Sequence, residues 1–168
     1  MAKLARGGEK MTKRLRAAAA AVGIAAALIV LTAPAGAGTA QVSGIGLPLG
    51  PDPCNGRTSD FTIAMTGSLV GCWYATITES KFNPSGTYQE RGTETFVGCL
   101  NGTTTCGTFS TTYTFTAKFV DDTFAQEIHG RCHHPIVSGT DGFLGATGMI
   151  NFKDDVEAGI FRYAGHIA

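Results

Sequence analysis

The chain has 168 residues with 13 basic and 13 acidic side chains, 23 glycines and five cysteines, which is enough for one domain. Its charges are unevenly placed. Six Lys or Arg and one Glu fall in the first sixteen residues, so subtracting six and one leaves 7 basic and 12 acidic residues beyond position 40, a net charge of −5. An acidic remainder with scattered cations excludes the clustered positive charge that nucleic acid or an anionic membrane surface requires.

Residues 1–16 are basic and 17–31 are small and apolar, the order of a secretory signal. The run is short for a membrane span, Pro34 interrupts it, and Ala35, Ala37 and Ala40 offer small-residue cleavage sites. A helical signal peptide over 1–40 is therefore expected, cut after Ala40 or Ala37, with an uncleaved anchor as the alternative. Export makes the protein secreted, with no membrane association once the signal is removed, and disulfides become the default role for cysteine. Cys99 and Cys106 flank a short turn and are expected to staple a hairpin. Cys54 is expected to tie the N-terminal segment to the body through Cys72, with Cys132 as the alternative partner.

Residues 41–57 are rich in Gly and Pro and read as a flexible leader, leaving 58–168 as the folded domain. In that domain apolar residues alternate with polar ones, and turn signals recur about every ten residues. Eight strands are predicted, over 60–66, 69–78, 87–97, 108–120, 124–133, 136–138, 147–152 and 158–167. Strand 108–120 is the clearest, with Phe109, Tyr113, Phe115, Ala117 and Phe119 on one face and Ser110, Thr112, Thr114, Thr116 and Lys118 on the other. In 124–133, Phe124, Ile128 and Cys132 are placed on one side and Glu127, His129, Arg131 and His133 on the other, with Cys132 and His134 facing the same way. Eight short consecutive strands are most simply closed into an all-β, antiparallel up-and-down barrel, because closure removes exposed edges. A β-sandwich is the alternative.

Between the sixth and seventh strands lies Gly139-Thr140-Asp141-Gly142-Phe143-Leu144-Gly145-Ala146-Thr147-Gly148, where Gly139, Gly142, Gly145 and Gly148 bracket Phe143. Glycines of this density allow a sharp corner, and Phe143 is expected to plug the interior against Phe109, Tyr113, Phe115 and Phe161. This stretch resembles the glycine-rich signature that precedes the last strands of the allene oxide cyclase and dirigent type of β-barrel, and Phe161, Tyr163 and Gly165 are similarly placed. Asp141 stands where that family shows a small residue. The resemblance implies a barrel fold and either cofactor-free cyclisation of a fatty-acid-derived epoxide or the steering of phenol radical coupling. It carries over no catalytic residue.

Three constellations bear on chemistry. Tyr88, Glu90, Gly92, Glu94 and Phe96 share a strand face; if that face is inner, Glu90 and Glu94 are carboxylates among aromatics, suited to acid or base work, and if outer they are solvated. Trp73, Tyr88, Phe96, Tyr113 and Phe115 are then candidates to line a site for a small apolar ligand. His129 and His133, with His166 from the last strand, are the candidate metal ligands. On an extended strand, however, the first two lie about 13 Å apart at roughly 3.3 Å per residue, so no metal is expected. The chain has no nucleophile elbow and no phosphate-binding loop, so no cofactor is expected. Three readings follow: a secreted non-catalytic module binding a small apolar or aromatic ligand, a cofactor-free cyclase or isomerase, and a surface-interaction protein using strand edges or the leader.

Overall fold

The computed structural model describes residues 38–168; the expected signal peptide lies outside the described residues except for its last three positions. Eight antiparallel strands form one closed barrel in simple sequence order: β1 (Ala40–Gly50), β2 (Phe61–Gly67), β3 (Leu69–Asn83), β4 (Thr87–Leu100), β5 (Cys106–Phe119), β6 (Glu127–Asp141), β7 (Gly148–Asp155) and β8 (Ile160–Ile167). Each strand pairs with the next, and β1 closes the ring against β8. The expected barrel is the observed one, and the sandwich alternative is set aside. Among the described residues no helix is long and apolar enough to cross a membrane.

Two of the expected elements are corrected. The supposed leader supplies β1, paired to β2 from Gly44 to Gly50 and to β8 from Ala40 to Gly46. Its small inward positions are what closure needs. A Cβ on Gly46 would meet the Ile63 side chain at 2.7 Å, and one on Gly44 would meet the Tyr163 ring at the same distance, so large side chains from β2 and β8 fill the space that β1 leaves. The strands expected over 124–133 and 136–138 are one strand, β6. Pro135 does not end it, because the ladder to β5 skips from Ile136 to His133 and the missing N–H falls in that gap, while Pro135 stays in register with Met149 of β7.

The barrel interior is filled unevenly. Along the hydrogen-bonding direction Ile63, Trp73, Phe96 and Phe109 are successive neighbours, and the last three are fully buried. Phe143 closes this end, 3 % exposed, with its ring edge-on to Phe109 at 5.2 Å and to Phe96 at 6.0 Å. It is the expected plug, although Tyr113, Phe115 and Phe161 belong to the opposite end. The corner holds it through Phe143 N–H donating to Thr140 O and Ala146 N–H donating to Phe143 O. Gly145 adopts φ +77°, and the Phe143 carbonyl occupies the space a Gly139 side chain would take.

Both expected disulfides are present. Cys99–Cys106 joins paired residues at the β4–β5 hairpin. Cys54–Cys72 pins the loop after β1 to the outside of β3, where the Tyr74 hydroxyl donates to Cys54 O at 2.8 Å and the Arg57 guanidinium lies 4.3 Å above the Tyr74 ring. Cys132 is free and buried.

Candidate functional site

One step from the packed layer, the next row around the barrel is Phe61, Ala75, Glu94 and Thr111. Ala75 is too small to fill what Trp73 fills below it, and a cavity of about 280 Å³ opens here toward the end formed by Tyr88, Phe115 and Phe161. Its wall is mostly apolar, with Ile63 and Phe152 alongside Phe61, Phe115 and Phe161. Set into it are four carboxyl groups, Glu90, Glu94, Glu127 and Asp154.

Glu94 and Glu90 are on the inner face of β4, as the strand period allows, and each carboxylate is held by specific donors. The Thr111 hydroxyl donates to Glu94 Oε2 at 2.7 Å, and His134 Nδ1 meets the same oxygen at 2.5 Å. Glu94 is 5 % and His134 1 % exposed, so the pair sits in a low-dielectric layer where such bonds are strong. His134 is enclosed by Trp73 edge-on, Phe152 at 4.4 Å and a stacked Tyr113 ring, and its Nε2 is buried without a partner. Glu90 accepts from the Tyr113 hydroxyl at 2.7 Å and from the Tyr88 hydroxyl. Burial and then the Glu90 carboxylate push the Tyr88 phenol up to about 12 and move Tyr113 in the same direction, so both remain donors at any neutral pH.

Across the cavity Glu127 of β6 and Asp154 of β7 meet over Gly130, whose missing side chain leaves the space their oxygens fill. Burial first, and the Glu127 carboxyl second, push Asp154 up to about 8. With Asp154 ionised, buried Glu127 Oε1 has no donor; a proton on Asp154 supplies one. Cys132, on the same wall, has its thiol pushed up by burial and then by Glu94, which keeps it an unreactive SH.

Of the five side chains expected to line a ligand site, Tyr88, Tyr113 and Phe115 are on this wall. Trp73 and Phe96 are not. They belong to the packed layer beneath it, because the barrel fills one row earlier than the sequence discloses. His129, His133 and His166 lie exposed on the outer surface, His133 bonded to Asn151 Oδ1 at 2.6 Å, and among the described residues no three His, Cys, Asp or Glu are grouped to hold a metal ion.

His134 was within reach of sequence reasoning, since alternation from Cys132 puts it on the inner face. The sidedness of Glu127 was not. The β5–β6 ladder shifts between Lys118 and Phe119, turning Glu127 inward and leaving Ile128 exposed, the reverse of simple alternation. Asp154 falls between the strands expected over 147–152 and 158–167, whereas β7 runs on to Asp155 and carries it to the barrel wall. Compared with protein-family models, curated proteins and solved structures, the chain has no match.

Proposed function

We propose that the protein is exported and that its barrel holds a small, largely aromatic molecule in the cavity between Phe61, Phe115, Phe152 and Phe161, without a cofactor. The observation that carries this is the asymmetry of the interior. One end is packed solid by Trp73, Phe96, Phe109 and Phe143, while the other keeps about 280 Å³ lined by rings and by oriented polar groups, the make-up of a small-molecule site. Two disulfides and the basic-then-apolar N-terminus support an extracytoplasmic location. Closure of the barrel pairs every strand edge, and β1 takes up residues 41–50 of the expected leader, which weighs toward the interior rather than the surface.

One observation favours a second reading, the cofactor-free cyclase or isomerase that the resemblance implies. The Thr111–Glu94–His134 chain ends at a buried imidazole on the cavity wall, suited to moving one proton. Calorimetry tests the first reading and a turnover assay the second. Isothermal calorimetry with naphthalene-sized probes should show one site per chain, weakened at least tenfold in Ala75→Leu, which fills the cavity; equal binding in that variant places the probe elsewhere. Glu94→Gln should leave binding largely in place, and turnover of an unsaturated fatty-acid epoxide by the parent but not by this variant would establish catalysis.

A further inference from the structure

The polar groups of the cavity differ in how they are satisfied. Glu90 has two phenol donors and Glu94 has Thr111 and His134, so these carboxylates are already paired within the chain. Glu127 and Asp154 have only each other. Both are part-buried, with Glu127 Oε1 shut off from solvent, and carboxylates withdrawn from water are ordinarily matched by a cation, since their desolvation is costly. The nearest cations cannot serve. Arg131, Lys153 and Arg162 are successive partners across β6, β7 and β8, and strand alternation sends all three to the outer face, away from Asp154. Among the described residues no Lys or Arg lines the cavity.

Two further features bear on what would complete it. In the neutral His134 ring, Nδ1–H donates to Glu94, which leaves Nε2 as a buried acceptor with no donor. Phe61, Phe161 and Phe152, whose rings lie 6.1 Å apart in that succession, present aromatic surface beside the Glu127–Asp154 pair, and ring faces attract cations.

We propose that the occupant is an amine: the cavity takes an aromatic or apolar molecule bearing an ammonium group, which docks at Glu127 and Asp154 while its body lies against Phe61, Phe152 and Phe161. This rests on the cavity being a ligand site and adds the charge of the ligand. Burial and then the Glu127 carboxyl push Asp154 up to about 8, so it carries a proton at neutral pH; an ammonium docked beside it favours the ionised carboxyl, and that proton leaves for solvent. Of the other titratable groups facing the cavity, Glu90 stays paired with Tyr88 and Tyr113, Glu94 stays paired with His134, and Cys132 stays an SH.

Three probes of one shape test it by calorimetry at pH 7: 1-naphthylmethylamine, 1-naphthalenemethanol and 1-naphthoate. The amine should bind at least tenfold more tightly than the alcohol, with the carboxylate weakest. Repeating the titration in buffers of different ionisation enthalpy should show about one proton released per amine bound and none for the alcohol. Glu127→Gln with Asp154→Asn should bring amine and alcohol to equal affinity and abolish the release, with thermal melting confirming that the variant is folded. If the alcohol binds the parent as tightly as the amine, the charge assignment is overturned and the neutral-ligand reading stands. If no probe binds, both fall. Amine binding without proton release would also overturn the assignment, and it needs no variant.

Discussion

Phe143 and His134 lie on opposite sides of the same packed layer, and the sequence disclosed them very differently. Phe143 stood out because four glycines surround it, and burial of an isolated ring in a glycine corner is a strong local inference. His134 followed His133 in a run that invited a metal reading, and only its inward parity distinguished it. Replacing Phe143 with Ala removes a buried ring and should cost about 3 to 5 kcal/mol, whereas Leu144→Ala next to it, on a side chain 82 % exposed, should change stability by less than about 0.5 kcal/mol. Urea denaturation of the two variants checks this contrast. Equal stabilities would mean that the corner is not a plug.

Among the elements, β2, β3, β4, β5, β7 and β8 were legible because alternation runs through them with few interruptions. β1 was not, because a strand whose inward residues after Val42 are Gly and Pro carries no apolar period, and the bulk of Tyr163 and Ile63 opposite explains its composition. β6 was divided at Pro135 and its sidedness inverted near Glu127, both through ladder irregularities that depend on β5 rather than on β6 itself. Cys54–Cys72 fastens the loop after β1 to β3 across a separation of 18 residues, so it constrains the unfolded chain as well as this covering loop. Replacing both cysteines with Ala should lower stability by about 3 kcal/mol by the chain-entropy relation for such a loop. The urea midpoint should fall with the barrel still forming, and an unchanged midpoint would show that the loop contributes nothing.

For the whole molecule, the count of eight strands and the closed barrel were both correct for a partly wrong reason, since one strand was overlooked and another counted twice. The compensation has a physical basis, because an up-and-down sheet of this length with a wet face and a filled face has closure as its simplest way to bury its edges. Tyr88, Tyr113 and Phe115 were expected around a ligand site, but where the cavity begins could not be anticipated. It depends on Ala75 facing Glu94 and on which row the rings stop filling, a property of registers rather than of composition. Stability should follow the carboxyl pair with pH. Asp154 is raised in the folded state above its unfolded value, so its contribution is complete below about pH 4 and is lost as pH rises through about 8. Thermal midpoints should therefore decline between pH 5 and 8 in the parent, and the Asp154-dependent part of that decline should vanish in Asp154→Asn. A midpoint rising over this interval, with the same trend in the variant, would contradict it.

The layer from Trp73 to Phe143 also makes the barrel a cup rather than a tube. If the cavity takes a guest as proposed, whatever enters at Tyr88 and Phe161 leaves by the same opening, so a guest would be held rather than conducted from one side to the other. Exchange of guests is then sequential. A newcomer has to wait for the resident to depart, and the rate of replacement should plateau at the resident's own escape rate however concentrated the newcomer becomes.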